Sequence, residues 1–379
     1  MQNPTPSNLA GLYIHVPFCG SICNYCDFNR WLPHEDQLQL FSELVLKEFN
    51  LRSNFFAGFK TLFFGGGTPS FLPLKSWDNL LTQLIPALPQ LFEFSIEANP
   101  NQLSLDKLKL WKSFGLTRLS LGVQSFDTDT LLLLGRTHTN DQVYYWVNQA
   151  EKLGIDLSID LMFGLPGQSL TQWINTLDKA LALPLSHLSF YGLTVEPHTV
   201  FDLRKQRGEL PSLPEEYDQM YLEGVQRVEK KGMLRYETSN FSLPGKECIH
   251  NQNYWNHTPY LGLGPGAHSY HTLTRSAGPK KWQAWFDWLH QGCPILEENK
   301  ETLTHEVFLE EKLWLGLRQK RGCSWNLFPP LARKKMTQAM LQKWPDFFIW
   351  DNENFALKER GWLYIDQLTI DLLEYLNTK

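Results

Sequence analysis

Short β-rich segments alternate with helical patterns through the first half of the chain. The predicted strands lie near 11–16, 61–64, 93–97, 117–122, 155–162 and 187–192. The predicted helices between them lie near 35–52, 76–85, 104–114, 140–153 and 169–182. Six successive β/α units predict a parallel sheet, either open or closed into a barrel.

Each predicted strand has one apolar and one polar face. In the segment 155–162, apolar residues at every second position alternate with Asp156, Ser158 and Asp160. A doubly wound sheet would instead have continuous apolar strands, and a closed eight-stranded barrel would fill its interior with branched apolar side chains. The alternation therefore predicts an α/β fold whose polar faces line a large hydrated cavity, as in an incomplete or splayed barrel.

The pattern changes after about residue 232. Segments 234–241 and 260–270 are typical of further strands, and helical patterns resume at 281–290 and 304–320. The region from 331 to 370 combines helix-like and strand-like pieces, which predicts a small α/β module of winged-helix type. We therefore predict a main domain over 1–290, with a strand extension, and an accessory domain over 291–379.

Composition and charge exclude several classes of protein. The 379 residues are 42% hydrophobic and 20% charged, which excludes disorder and small disulfide scaffolds. Forty acidic against thirty-five basic residues give a net charge of −5, so no nucleic-acid partner is expected. No segment approaches the roughly 18 apolar residues of a membrane span, and residues 1–10 do not resemble a secretory signal. These features predict a soluble cytoplasmic protein.

Three cysteines lie within eight residues, directly after the first predicted strand. The spacing Cys19-x3-Cys23-x2-Cys26 can hold three irons of a [4Fe–4S] cube and leave the fourth iron without a protein ligand. A structural zinc site is the alternative, but it would need a fourth ligand such as His15 or Cys248.

Four further positions follow predicted strands where a ligand could bind. The run Gly65–Thr68 allows close approach of the backbone to a ligand, and it lacks the Gly-Lys-Ser/Thr of a phosphate-binding loop. Glu97, Gln124 and Asp160 lie near the carboxyl ends of different strands, on the polar face, where β/α barrels gather their functional residues. Carboxylates there can accept hydrogen bonds from ribose hydroxyls. Solvated or capping side chains are the alternative for any one of them.

Two other sites carry candidate chemistry. Arg136 follows a predicted helix and could pair with a carboxylate, although interaction with the helix dipole would also explain it. The segment His250-Asn-Gln-Asn-Tyr254-Trp255 lies in a predicted loop. Imidazole and phenolate are heme iron ligands, and Trp255 offers a stacking surface. A surface or capping histidine is the alternative for His250.

The cysteine motif, with Tyr25 before its last cysteine, resembles that of the radical S-adenosylmethionine (SAM) family. Further segments resemble the coproporphyrinogen III oxidase-like branch of that family: FFGGGTPS at 63–70, SIEANP at 95–100, LSLGVQSF at 119–126, LGRTH at 134–138, IDLMFGLPGQ at 159–168 and YLGLGPGAHSY at 260–270. The resemblance covers essentially the whole chain. It implies a partial (β/α)6 barrel followed by a C-terminal accessory domain.

The resemblance also implies cofactors and the residues that hold them. Cys19, Cys23 and Cys26 would bind the cluster, and SAM would chelate its open iron. An electron donor such as flavodoxin or ferredoxin would supply the electron that cleaves SAM. The implied SAM contacts are Tyr13, Gly66, Gly67, Thr68, Glu97, Gln124, Arg136 and Asp160, with Thr194 and His268 as neighbours.

Within the branch, two features separate an enzyme from a binding protein. The oxygen-independent oxidase has a further cysteine two positions after the last cluster ligand and an N-terminal extension, whereas this chain has Phe28 and ten residues before Gly11. The pattern His-Asn-x-x-Tyr-Trp at 250–255 resembles the heme-binding motif of the HemW-like group of heme chaperones. The resemblance therefore favours a protein that binds heme, through His250 and Tyr254, and delivers it to apoproteins. The alternatives are the oxidase, which converts propionates to vinyl groups in porphyrin biosynthesis, and a radical SAM enzyme with an unrelated substrate.

Overall fold

A computed structural model describes residues 10–376 and builds most of them around one twelve-stranded sheet. Its six parallel strands are Ala10–Val16 (β1), Phe59–Gly66 (β2), Glu93–Ala98 (β3), Arg118–Gln124 (β4), Asp156–Phe163 (β5) and His187–Gly192 (β6). The helices between them are Glu35–Arg52 (α1), Leu74–Leu84 (α2), Leu105–Ser113 (α3), Thr128–Leu134 (α4), Asn140–Lys152 (α5) and Leu170–Leu181 (α6). The predicted α/β architecture is therefore confirmed, with α4 as an additional short helix.

The remaining elements extend the sheet and form a separate C-terminal module. They are Val200–Gln206 (α7), Tyr217–Lys230 (α8), Leu234–Arg235 (β7), Asn240–Ser242 (β8), Ile249–Trp255 (α9), Tyr260–Leu263 (β9), His268–His271 (β10), Thr274–Ala277 (β11), Trp282–His290 (α10), Lys300–Thr302 (β12), His305–Leu317 (α11), Cys323–Ser324 (β13), Pro330–Lys343 (α12), Phe348–Trp350 (β14), Asn354–Leu357 (β15) and Ile365–Leu376 (α13). Short 3-10 helices occupy Ser53–Phe55, Pro69–Phe71, Ile85–Ala87, Pro100–Gln102, Glu297–Asn299, Trp325–Leu327 and Glu359–Tyr364.

The strand order makes the barrel incomplete. Neighbours in the sheet follow the order β12-β11-β10-β9-β1-β2-β3-β4-β5-β6-β8-β7. Strands β1 to β6 pair in parallel in chain order, while β1 pairs on its other side with β9 and β6 pairs with β8. Because β1 and β6 each have another partner, the six parallel strands do not close on themselves, as the partial barrel requires.

The two faces of the strands separate as the alternation predicts. In β4, Leu119, Leu121 and Val123 are fully buried in the apolar core with the surrounding helices. The intervening Arg118 and Ser120 line a cavity inside the sheet. The polar lumen predicted from the alternation is therefore present.

Helix α9 crosses from one end of the parallel sheet to the other. The chain leaves β8, beside β6, forms α9, and enters β9, beside β1. His250 lies in this helix and not in the loop that its sequence pattern predicts. The carboxylate of Glu93 accepts hydrogen bonds from the backbone nitrogens of Ile249 and His250, both at 2.9 Å, and so caps the helix N-terminus. The cap comes from a residue distant in sequence, which is why local pattern did not reveal the helix.

The C-terminal module has the elements expected of a winged helix. Strands β13, β15 and β14 form a three-stranded antiparallel sheet, and α11 and α12 both pack against α13. Strand β12 belongs to the large sheet, where it pairs with β11. The domain boundary at 290/291 stays a prediction. Within the part of the chain that the structure describes, no helix combines the length and apolar character needed to cross a membrane.

Candidate cofactor and ligand site

The lumen of the sheet contains two neighbouring cavities. The upper cavity, of about 380 Å³, lies where the parallel strands end and is lined by the cysteine loop and the glycine run. The lower cavity, of about 340 Å³, extends toward the strand starts and is lined by Arg118, His187 and His250. Glu97, Asp160 and Tyr191 line both cavities. The two cavities therefore adjoin at these three side chains, one on the side of the cysteine loop and the other on the side of helix α9.

The three clustered cysteines all line the upper cavity. Cys19 is buried, Cys23 and Cys26 are half-buried, and all three are free thiols. Asn24 anchors the loop to the end of α4, because its side chain donates to the carbonyl oxygen of Leu133 at 2.8 Å. A loop that presents three thiols to one cavity fits a cluster held by three ligands with a fourth corner open to the lumen.

The fourth ligands considered for a zinc site are engaged elsewhere. His15 bonds to the carbonyl oxygen of Asn29 through Nε2, at 2.7 Å, and to the Tyr13 hydroxyl through Nδ1, at 3.1 Å. Cys248 lines the lower cavity, where its Sγ lies 3.6 Å from a carboxylate oxygen of Glu93. Among residues 10–376, no three His, Cys, Asp or Glu side chains converge as ligands of a single metal ion do.

A chain of hydrogen bonds links the cysteines to Arg136. Thr68 Oγ1 donates to Cys19 Sγ at 3.5 Å, and Asn99 Nδ2 donates to Thr68 Oγ1 at 3.2 Å. Arg136 donates to Asn99 Oδ1 at 2.7 Å and to Cys23 Sγ at 3.6 Å. Burial raises the pKa of the Cys19 thiol, whereas the Thr68 hydrogen bond lowers it. Thr68 and Arg136 are therefore placed to stabilise the thiolates that iron binding requires.

The glycine run packs directly against the start of the cysteine loop. The Gly67 nitrogen donates to the carbonyl oxygen of Val16 at 2.8 Å. A Cβ atom at Gly67 would lie 2.9 Å from the backbone of residues 16–18. Gly66 has φ of 110°, a region that L side chains rarely adopt, and its nitrogen donates to Glu97 Oε2 at 3.2 Å. Glycine is needed here so that two backbone segments can meet beside the cavity.

Two carboxyl groups share the middle of the lumen. Burial raises the pKa of Glu97 to about 8, and the nearby Asp160 adds to this shift. Burial also raises the pKa of Asp160 to about 6, although hydrogen bonds from Ser189 and Ser120 oppose it. The Ser120 hydroxyl lies 3.1 Å from both Asp160 oxygens. Such carboxyl groups are suited to accept hydrogen bonds from a ligand with hydroxyl or amino groups.

Of the four other predicted SAM contacts, two line the upper cavity, one lines the lower cavity and one lines neither. Gln124 lines the upper cavity at a bulge of β4, with φ of 66°, an unusual value for a residue other than glycine. Thr194 is exposed and lines the upper cavity. Tyr13 lines the lower cavity instead, and His268 is exposed on β10 and lines neither cavity. The roles of these residues stay predictions.

Sequence reasoning did not single out Asn99, Tyr191 or Arg118, although all three line the lumen. Asn99 is the fifth residue of the segment SIEANP, and Tyr191 and Arg118 lie on the polar parity of their strands. The parity placed them in the lumen. Only the structure shows which neighbours they contact.

His250 is buried at the lower end of the lumen, with 1% of its surface exposed. Its Nδ1 bonds to Thr61 Oγ1 at 2.8 Å, and its Nε2 bonds to the Tyr254 hydroxyl at 2.9 Å. The ring stacks on Phe63, with centroids 5.0 Å apart. Burial lowers the pKa of His250 to about 3, so the ring is neutral across the physiological range. Trp255 faces away from the lower cavity, toward Arg318 and the C-terminal module.

Comparisons with known proteins agree with this geometry. Residues 13–180 match the family model described as the Radical SAM superfamily. The chain is 37% identical over 326 residues to heme chaperone HemW of Bacillus subtilis, covering 83% of this chain and 85% of that protein. It is 34% identical over 383 residues to the mitochondrial radical S-adenosyl methionine domain-containing protein 1 of Bos taurus, covering 96% and 84%. The solved structure of coproporphyrinogen III oxidase (HemN) from Escherichia coli has the same fold, with a TM-score of 0.83, 22% identity, and coverage of 98% and 92%.

Proposed function

The chain belongs to the radical SAM superfamily, within the family of the HemW proteins, and from that premise we propose that it is a heme chaperone. It binds heme and delivers it to acceptor apoproteins. The observation that carries the proposal is that His250 and Tyr254 of the motif His250-Asn-Gln-Asn-Tyr254-Trp255 both line the lower cavity. Similarity to proteins named heme chaperone, over most of their length, supports the same function.

Cys19, Cys23 and Cys26 hold a [4Fe–4S] cluster in this proposal, and SAM occupies the upper cavity. Bound there, the cluster and SAM would supply one-electron chemistry, with an electron donor such as flavodoxin or ferredoxin. Arg136 and Thr68 donate to the thiolates. The carboxyl groups of Glu97 and Asp160 accept hydrogen bonds from SAM, and the glycine run lets the SAM amino group approach the backbone. The six free thiols favour a reducing compartment, and we propose the cytoplasm.

His250 supplies the nitrogen that binds heme iron. The low pKa keeps the imidazole neutral, so no proton has to leave before the iron binds. The hydrogen bond with Tyr254 must open, because it occupies Nε2 in the structure. Tyr254 faces the lower cavity and is half-buried, whereas Thr61 is fully buried behind the ring, so Nε2 is the nitrogen that a ligand reaches.

The alternative function is the oxidase reaction on coproporphyrinogen III. Phe28 occupies the position of the additional cysteine of the oxidase, and this side chain is 60% exposed at the upper cavity. A phenyl ring cannot donate a proton or a hydrogen atom as a thiol can. The chaperone proposal therefore accounts for Phe28 better than the oxidase does.

Heme titration of the anaerobically reconstituted protein tests the proposal. We expect the protein to bind one heme per chain. The heme affinity should fall at least tenfold in His250→Ala and stay unchanged in His290→Ala, which removes an exposed histidine on α10. Heme-loaded protein should then transfer heme to an apoglobin.

A parallel assay tests the oxidase alternative. The reconstituted protein is supplied with SAM, a low-potential reductant and coproporphyrinogen III, and porphyrin products are followed by chromatography. Vinyl-bearing product over many turnovers would replace the chaperone proposal with the oxidase.

A further inference from the structure

A further cavity, of about 400 Å³, lies between the end of α9 and the C-terminal module. Its walls come mainly from α11, from the turn that follows α11, and from β13 and β15. Two of its lining residues are cations, Lys312 on α11 and Arg321 in the turn, and within the described part of the chain no acidic residue lines it. In a chain with a net charge of −5, this cavity is therefore a local concentration of positive charge.

A tight turn after α11 fixes the position of Arg321. The Gly322 nitrogen donates to the carbonyl oxygen of Gln319 at 2.9 Å, and Gly322 has φ of 70°. A Cβ atom at Gly322 would lie 1.9 Å from the carbonyl oxygen of Phe355, so only glycine lets the turn pack this closely against β15. Arg321 itself is exposed, so a ligand from solvent can reach its guanidinium group.

The two cations meet at one neutral residue, Asn256, which follows the end of α9. Lys312 Nζ donates to the Asn256 carbonyl oxygen at 2.9 Å, and Arg321 Nη2 donates to the Asn256 side-chain oxygen. No carboxylate among residues 10–376 forms an ion pair with either cation. Burial lowers the pKa of Lys312, and the positive charge of Arg321 adds to this shift. Capping of α9 needs only hydrogen-bond donors, so it does not by itself explain two adjacent cations without an anion.

We propose that this cavity binds the phosphate group of a small molecule between Lys312 and Arg321. Ammonium and guanidinium groups both form strong charge-assisted hydrogen bonds with phosphate oxygens, and two adjacent cations match a dianion. Ser324 and Asn354, register partners on β13 and β15, also line the cavity and add neutral hydrogen-bond donors. The inference goes beyond the proposed heme binding and does not depend on it, because this cavity shares no lining residue with the two lumen cavities.

The size of the cavity favours a phosphate monoester over the free ion. Its volume of about 400 Å³ is within the range of roughly 300–1,000 Å³ typical of small-molecule sites, and a phosphate ion would fill only a small part of it. Trp255 and Leu327 also line the cavity and can contact an apolar part of the ligand. The phosphate would then bind at the two cations, and the group that carries it would occupy the remaining space.

Calorimetric titration of the reconstituted full-length protein in phosphate-free buffer tests the proposal, with phenyl phosphate and inorganic phosphate as probes. We expect both probes to bind saturably, phenyl phosphate more tightly. Arg321→Gln and Lys312→Gln should each weaken binding roughly tenfold, and Arg321→Lys should weaken it less. Lys320→Gln is the matched control, because Lys320 is an adjacent exposed cation that does not line the cavity. Phenyl phosphate should also raise the thermal unfolding midpoint of the wild-type protein, and this rise should shrink in Arg321→Gln.

Three outcomes would contradict the proposal. Absence of saturable binding of either probe to the wild-type protein would overturn the site. Wild-type affinity in both Arg321→Gln and Lys312→Gln would place the bound phosphate elsewhere in the protein and overturn it as well. Tighter binding of inorganic phosphate than of phenyl phosphate would overturn the assignment to a monoester. Heme titration of the same protein is a separate measurement, so failure of this site leaves the proposed heme binding intact.

Discussion

The Nε2 atom of His250 lies 2.9 Å from the hydroxyl oxygen of Tyr254, one turn further along α9. Since Thr61 occupies the other ring nitrogen, neither nitrogen is open to iron in this conformation. In this conformation, the hydroxyl group of Tyr254 therefore blocks Nε2 of His250, the ring nitrogen proposed to bind heme iron. The proposed heme binding would include the cost of opening one hydrogen bond.

Tyr254→Phe removes that cost. We expect heme affinity to rise roughly fivefold, because a buried hydrogen bond contributes about 1 kcal/mol. Titration of reconstituted protein with heme measures the change, with the exposed Tyr144→Phe as the control. If affinity fell instead to the level of His250→Ala, the phenol itself would be the iron ligand.

The Glu97 carboxyl makes stability depend on pH in a predictable direction. Its pKa is raised from 4.5 to about 8, so its contribution to stability is complete below pH 4.5 and is lost as the pH rises toward 8. Glu97→Gln should flatten this decline, which is at most about 1.4 kcal/mol per pH unit. Urea unfolding of the cofactor-free protein, repeated between pH 5 and 8, measures it. The exposed Glu215→Gln should leave the wild-type slope unchanged, and a wild-type slope in Glu97→Gln would contradict the assignment.

Gly67 should be required for cluster binding. A Cβ atom there would press against the backbone of residues 16–18, which leads directly into Cys19. We expect Gly67→Ala to retain less than half of the wild-type iron after reconstitution, measured by iron and sulfide analysis. Gly278→Ala is the matched control, since its Cβ would make only ordinary contacts, at 3.5 Å or more, with Trp288. Full iron content in Gly67→Ala would show that the loop can shift without loss.

We expect Cys23 to be a ligand of the cluster and Cys248 to have no part in iron binding. Cys23→Ser should lose most of the roughly four irons per chain, together with the broad visible absorption of the cluster. Cys248→Ser should keep both, because Cys248 is buried beside Glu93 in the lower cavity. Iron loss in Cys248→Ser, with unfolding unchanged, would instead implicate this thiol in metal binding.

The parts of the fold that depend on local pattern were predictable. The polar parity of β4 and β5 follows from a two-residue period, and it correctly indicated a polar lumen. Helix α9 was not predictable in this way, because its N-terminus is capped by Glu93, which precedes Ile249 by more than 150 residues. The same holds for Arg118. The sequence places it on the polar face, but the packing of other elements determines that its Nε and Nη1 have no hydrogen-bond partner among residues 10–376.

Three side chains shared by the two cavities give the two ends of the barrel a physical means of affecting each other. Glu97, Asp160 and Tyr191 are walls of both cavities, so a ligand that reorients them from one end alters the affinity at the other. Such coupling would be reciprocal: if both ligands bind as proposed, the factor by which SAM changes heme affinity equals the factor by which heme changes SAM affinity. In the proposed chaperone, binding or loss of SAM would then change how tightly heme is retained.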